Sequence, residues 1–467
     1  MLAEKIKTLL SCVMTAAAAL TAFSTLIACS TPCGSPGALC APIETVTSPP
    51  ERTTAPAPVR PAPPTPEQQA QVETFAVAMP GTAAPGQPQP AAAPGKTVRI
   101  GLMLPLRSET LGRASDAVRA GFMAAWERDK AGFDVTVIET GDAAADILST
   151  YQGALAQQDV IVGPLSRSAV TAVAGSPLVT KPTIALNHPD AREDKALPAQ
   201  MLSIGLSIEE EARQVADWAA REHPGANVLI LSGSTAWQRR IATAFAAQAA
   251  KVGMATKTLE LSALNGYLSD PELVALRARL GEQPVDLLFA ALDADQTRQL
   301  RIAVNAPPLP EIPLYGTSSL NPGRVTLLTG PELDGVKLLD LPWQIQRDSP
   351  TVASYPRAVP QDEVRLSADM ERLYALGIDA FRVAREIALR PGQPIALDGV
   401  TGQLSIDFGN GAARVKRIEP TAVYRNGVPV AIGAGDAAAP TTPSTPPTPP
   451  VPSDPTAPPA ASPAVIR

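Results

Sequence analysis

Four cysteines and two histidines are the residues of this chain best suited to nucleophilic or metal chemistry. The cysteines, Cys12, Cys29, Cys33 and Cys40, all lie at the N-terminal end, so the long stretch beyond them has no thiol for catalysis and no thiolate for zinc. His188 follows Asn187 at the end of an apolar run. His223 lies in Glu222-His223-Pro224-Gly225, a surface terminator at a helix end, where the dipole favours a cation. Two scattered histidines do not supply the ligand set of an ordinary zinc site. The sequence contains no Gly-x-Ser-x-Gly elbow, no Gly-rich phosphate loop with its lysine and no His-Glu-x-x-His. Carboxylates are plentiful, but most fall on helix faces, where solvation is their ordinary role. These residues point to a protein that is not an enzyme and uses no cofactor or metal.

The chemistry of Cys29 is of another kind. Lys5 and Lys7 precede an uncharged stretch over residues 8–28, the pattern of an export signal. On length alone that stretch could instead span a bilayer as an uncleaved anchor. Its end, Leu26-Ile27-Ala28-Cys29, resembles the lipobox of bacterial lipoproteins. That resemblance implies removal of residues 1–28 and acylation of Cys29, and several acyl chains anchor stably where one would not. Ser30 stands where an aspartate would retain a lipoprotein at the inner membrane, which points to the outer membrane. Cys33 and Cys40 could close a small disulfide loop in an oxidising compartment.

Proline, 50 residues in all, concentrates in two segments that are also rich in Ala and Thr. Residues 29–95 and 434–467 bury too little apolar surface to offset the entropy of ordering and are expected to be disordered. Fully extended, the first could reach roughly 200 Å from the anchor. Residues 96–433 hold enough apolar surface for a sizeable core. The net charge of −6 and the lack of a basic cluster interleaved with aromatics disfavour nucleic acid as a partner.

Within residues 96–433, apolar runs alternate with amphipathic stretches. Strands are predicted over 98–106, 133–139, 183–186, 201–205, 227–231, 256–261, 285–292, 313–316 and 336–341, with another ending at Gly163-Pro164. Helices are predicted over 143–158, 168–174, 236–252, 271–280, 293–304 and 366–389, with one more on the stripe Leu111, Ala114, Val118, Phe122 and Ala125. Ser207-Ile208-Glu209-Glu210 reads as a capping box. Residues 403–407, 414–417 and 421–425 read as a closing antiparallel set, with Asn426-Gly427 as a turn. Repeated βα units mean an α/β fold with parallel sheets covered by helices, and the number of strands calls for two lobes.

Residues 98–106, Val160-Ile161-Val162-Gly163-Pro164 with the serines after it, and Pro313-Leu314-Tyr315-Gly316 resemble the type I periplasmic binding proteins of the leucine-binding class. Leu373-Tyr374-Ala375-Leu376-Gly377-Ile378-Asp379-Ala380-Phe381, Gly399-Val400-Thr401-Gly402-Gln403-Leu404-Ser405-Ile406-Asp407 and Ala185-Leu186-Asn187 resemble the penicillin-binding-protein activators, outer-membrane lipoproteins on the same fold. Enterobacterial activators carry a helical repeat domain ahead of this fold, where this chain has its Pro-rich segment. The resemblance implies three crossovers, placed near 205–207, 316–323 and 390–398. Lobe one is then 96–206 with 322–389, and lobe two is 207–321 with 390–433. In this fold, strand ends and helix N-termini face an interlobe cleft and offer amides to an anion. Ser166, Ser168, Asn187 and His188 from one lobe, with Asp293, Thr317 and Ser318 from the other, are the candidate contacts for a small amino-acid-like ligand. Ser168 and Asp293 are equally placed to cap helices. The resemblance implies a bifunctional penicillin-binding protein, a peptidoglycan synthase, as partner, and the alternative is the substrate-binding lipoprotein of an ABC importer. A third reading is a ligand-sensing domain that signals through its hinge.

Overall fold

A computed structural model describes residues 97–190, 196–323, 330–357 and 367–433. The signal segment, Cys29, Cys33, Cys40, the Pro-rich linker and the segment 434–467 lie outside the described residues.

The first lobe begins with β1 (Val98–Leu104), α1 (Gly112–Arg128), β2 (Phe133–Glu139), α2 (Ala144–Gln157), β3 (Val160–Val162), α3 (Arg167–Ala174), β4 (Thr183–Ala185) and β5 (Met201–Ser203). The strands form one parallel sheet in the order β2-β1-β3-β4-β5. Apolar residues occupy both faces of β1, so the sheet is buried front and back, as an all-parallel sheet must be.

The second lobe continues with α4 (Ile208–Glu222), β6 (Asn227–Gly233), α5 (Ala236–Lys251), β7 (Ala255–Leu261), β8 (Ala263–Leu264), β9 (Tyr267–Leu268), α6 (Asp270–Glu282), β10 (Leu287–Ala291), α7 (Ala294–Val304), β11 (Leu314–Gly316) and β12 (Lys337–Leu339). The chain then runs through α8 (Pro342–Ile345), α9 (Pro350–Ala353), α10 (Ala368–Leu389), β13 (Ile395–Gly399), β14 (Gly402–Asp407), β15 (Arg414–Ile418), β16 (Thr421–Arg425) and β17 (Val428–Ala431). The second sheet is seven-stranded, in the order β17-β16-β12-β11-β10-β6-β7, while β13-β14-β15 form a separate antiparallel sheet.

This topology corrects the expected lobe boundaries. Residues 322–389 do not all belong to the first lobe, because β12 pairs with β11 (Tyr315 opposite Lys337) and with β16 (Leu338 opposite Ala422) in the second sheet. Residues 390–418 belong with the first lobe, since Ile395, Leu404 and Ile406 pack in one core with Ile100, Phe122 and Phe381. The closing antiparallel set is therefore split between two sheets. Of the expected crossovers only 205–207 holds. The second passes through Asp340 between β12 and α8, whose Trp343 joins the first-lobe core, and the third through Glu419 and Pro420 between β15 and β16. The reason is physical: irregular sequence marks loops that return within a lobe, whereas the true crossings are short extended segments that continue strands.

α1 and α10 cross in the first lobe at two glycines. A Cβ on Gly121 would stand 1.9 Å from the Tyr374 carbonyl oxygen, and one on Gly377 would stand 2.1 Å from that of Val118. Backbone therefore meets backbone at this crossing, and Phe381 packs edge-on against Phe122 with centroids 5.4 Å apart.

Candidate functional site at the junction of the lobes

Each cleft residue singled out in the sequence has its polar groups engaged by the chain itself. Ser166, not Ser168, caps α3, its hydroxyl accepting from the Ala169 amide at 3.2 Å. Ser168 is exposed, with its hydroxyl 3.3 Å from that of Ser166. The Asn187 amide donates to the Leu165 carbonyl at 3.0 Å and accepts from the His188 amide at 2.9 Å. His188 lies between the Gly205 carbonyl and the Ser203 hydroxyl, each 3.3 Å from a ring nitrogen, and burial holds its imidazole below its ordinary value. Gly205 must lack a side chain here, because a Cβ would come 2.5 Å from the Asn187 Cα.

From the second lobe, Asp293 caps α7 in a full capping box, accepting from the Gln296 amide at 2.8 Å, and burial raises its carboxyl. Thr317 and Ser318 are buried in the turn after β11. Thr317 accepts from the Ser319 amide, and the Ser318 amide donates to Glu211 at 2.8 Å. Ser207 caps α4 as expected, accepting from Glu210 at 3.2 Å, but the Glu210 carboxylate pairs with Arg213 at 2.9 Å rather than reaching back. His223 is half-buried, with Nε2 3.1 Å from the Tyr315 hydroxyl, so it is tied to the second sheet and is not a plain surface terminator.

Between the lobes, Glu209 at the start of α4 pairs with Arg240 at 2.7 Å and with Arg167 of the first lobe at 3.7 Å. Although burial works the other way, its own amide, Arg240 and Arg167 hold the Glu209 carboxyl below the usual range. The side chain of Arg167, the first residue of α3, thus meets a carboxylate of the same chain.

Beneath this bridge lies a buried charge network that sequence reasoning missed. Arg372 of α10 donates to both Asp340 oxygens, at 3.1 and 2.8 Å, and to the carbonyls of Ser318 and Asn321, at 3.0 and 2.9 Å. Asp340, fully buried at the second crossing, also accepts from Asn321 and from the Leu341 amide, each at 2.7 Å. Arg417 of β15 donates to the Ile204 and Gly205 carbonyls, at 2.6 and 2.9 Å, and so reaches the first crossing. Glu211 and Glu419 are buried beside these groups. Burial pushes the Glu211 carboxyl up to about 7, and burial together with the Glu211 charge lifts that of Glu419 well above its ordinary value. A fourth buried carboxylate, Asp379, accepts from the Val400 amide at 3.1 Å and from the Thr401 amide and hydroxyl at 2.8 and 2.6 Å. The activator-like segments around Asp379 and Val400 are therefore two sides of one contact. A signal for this network existed in the sequence: Asp340 and Asp379 interrupt apolar runs, where an unsolvated charge needs a partner.

Among the described residues no group of histidine, cysteine and acidic side chains could hold a metal ion, and no helix is long and apolar enough to cross a membrane.

A Chromobacterium violaceum protein described as "a putative branched-chain amino acid ABC transporter" is 34% identical, with a TM-score of 0.57 over 70% of this chain and 100% of its own. The C-domain of Haemophilus influenzae LpoA, described as a regulator of PBP1A, is 21% identical, with a TM-score of 0.57 over 72% of this chain and 100% of its own. Full-length LpoA from that organism is 22% identical, with a TM-score of 0.57, and the match spans 72% of this chain but 59% of that protein. No functionally curated protein matches the sequence at a significant level. The fold is the α/β fold of the type I periplasmic binding proteins, with parallel sheets flanked by helices. The model of the family described as "LppC putative lipoprotein" matches residues 94–427, most of the chain, and the chain belongs to that family.

Proposed function

We propose that this chain is a non-catalytic lipoprotein of the bacterial envelope, anchored through Cys29 in the outer membrane, that activates a bifunctional penicillin-binding protein by direct contact in the periplasm. The observation that carries this reading is the state of the junction. The polar groups a solute would need at Ser166, Asn187, His188, Asp293, Thr317 and Ser318 are taken up by caps, turns and bonds within each lobe. A domain braced in this way acts through its surface. The likeness to the C-domain of LpoA, a regulator of PBP1A, supports the partner class. Crosslinking in intact cells followed by pull-down of the full chain tests it: recovery of a penicillin-binding protein is expected, and recovery of an importer permease in its place overturns the proposal.

A second reading rests on one observation, the 34% identity to the Chromobacterium violaceum protein described as an ABC transporter. On that reading the cleft takes a branched-chain amino acid or similar solute. Thermal shift with leucine, isoleucine and valine separates the two, because ligand at 100 times its Kd would stabilise the native state by about 2.7 kcal/mol.

A further inference from the structure

The junction holds more buried acid than base. Glu211, Asp340 and Glu419 are 5%, 0% and 6% exposed, and the guanidiniums that face them are those of Arg372 and the half-buried Arg417. Asp379 also acts on Arg417, but it has its own cation in Arg382 at 3.1 Å and the donors of Val400 and Thr401, and Asp369 meets Arg372 from an exposed position. If Glu211 and Glu419 were both ionised, three carboxylates would face two guanidiniums between the crossings. Asp340 already has four donors on its two oxygens. Glu419 has an Oε2 that is buried and has no hydrogen-bond partner among the described residues, and the Nε of Arg417 is in the same condition. A buried carboxylate oxygen without a donor is costly when charged and tolerable when neutral.

Position gives this imbalance a consequence. Glu419 lies on the third crossing, and its amide donates to Gln214 of α4 at 3.2 Å. Glu211 holds the Ser318 amide, while the Ser318 carbonyl is held by Arg372 from the first lobe. Asp340 lies on the second crossing, and Arg417 grips the first. The charge state of these carboxyls therefore acts on the segments about which the two lobes can turn.

We propose that Glu211 and Glu419 are a proton-linked lock on the interlobe hinge: while they share a proton the crossings are held together, and its loss places surplus negative charge there and frees the lobes to turn. The other titratable groups at the junction are Glu209, held below its ordinary range by Arg240 and Arg167, and His188, whose ring touches Ser203 and Gly205 beside Arg417. The lock is independent of which partner the domain contacts.

The test uses the full chain carrying a dye pair, attached through unnatural amino acids at the exposed positions of Glu127 in the first lobe and Lys257 in the second. Energy transfer is followed from about pH 5.5 to about pH 8.5. A single sigmoidal change is expected in the wild type and in His188→Gln, and a flat profile in the double variant Glu211→Gln/Glu419→Gln. A flat wild-type profile, or a double variant that keeps the wild-type transition, overturns the proposal. Should the double variant not fold, infrared spectra of the wild type decide. A neutral carboxylic-acid band lost with the same midpoint as the transfer change supports the lock, and absence of that band at the acid end overturns it.

Discussion

Replacing Arg372 by methionine should be among the most destabilising single changes in the domain, and the structure sets its size. The guanidinium makes five hydrogen bonds, two to the fully buried Asp340, one each to the carbonyls of Ser318 and Asn321, and one to the exposed Asp369. Methionine leaves Asp340 without its counter-ion and takes the Arg372 donor from the Asn321 carbonyl, while the Ser318 carbonyl keeps the Asn321 amide at 2.9 Å. Breaking a buried pair from one side costs about 3–5 kcal/mol. Asp340 keeps donors from Asn321 and Leu341, which argues for the lower part of that range, about 3 kcal/mol. Urea unfolding of the full chain, with fluorescence reporting on Trp343 and Trp218, measures the loss. A cycle with Asp340→Asn separates pairing from packing, and the double variant should be less destabilised than the sum of the two single ones, by on the order of 2 kcal/mol. A loss below about 1 kcal/mol for Arg372→Met, the size expected of an exposed pair, would refute the argument that this network braces the lobes.

Gly377→Val drives a side chain into the Val118 carbonyl and should lower stability by about 1–3 kcal/mol or more while helix content by circular dichroism is kept. Asp379→Ala strips the acceptor from the Val400 and Thr401 donors, and should speed amide exchange at those two residues of the β13–β14 turn far more than within β14. Because the Glu211 and Glu419 carboxyls are raised in the folded state, their contribution to stability is present at acid pH and is lost as pH rises through neutrality. Thermal melting across that window should show a fall that Glu211→Gln reduces. Asp293→Ala removes the α7 cap and should cost about 1 kcal/mol, with no change in the response to leucine if the cleft is not a ligand site.

The layered architecture was legible because parallel strands buried on both faces and amphipathic helices have distinct periods. β2 is matched residue for residue, and the cap at Asp293 follows from its position before a helix. The β8–β9 hairpin was missed although Asn265-Gly266 marks it, with φ of 53° and 84° against 53° and 75° at the Asn426-Gly427 turn, because its strands are two residues long. The lobe boundaries were misplaced because β12 and β15 run straight into their crossings, with no glycine or proline cluster ahead of the change of lobe. The site was legible as a location but not as chemistry. A hydroxyl that caps a helix and one that binds a solute look alike in sequence, and only the Ser166–Ala169 and Asp293–Gln296 distances separate them. Arg372 and Arg417 were passed over because arginine on a helix or strand edge is usually solvated.

In a bilobed binder a bound solute usually sets the relation between the lobes, since contacts to it from both sides decide how far the cleft closes. Here that work is distributed over the chain's own groups. Glu209 reaches Arg167 across the lobes, Arg372 of the first lobe holds carbonyls of the second, and Arg417 holds the first crossing. On the function proposed above, a solute that entered would have to compete with these paired charges. A partner protein places a different demand on the same fold: it needs a surface whose two halves keep a fixed relation before contact, because order already present in the free molecule is not lost on binding. Internal bracing of the hinge, in the protonated state of Glu211 and Glu419, would meet that demand.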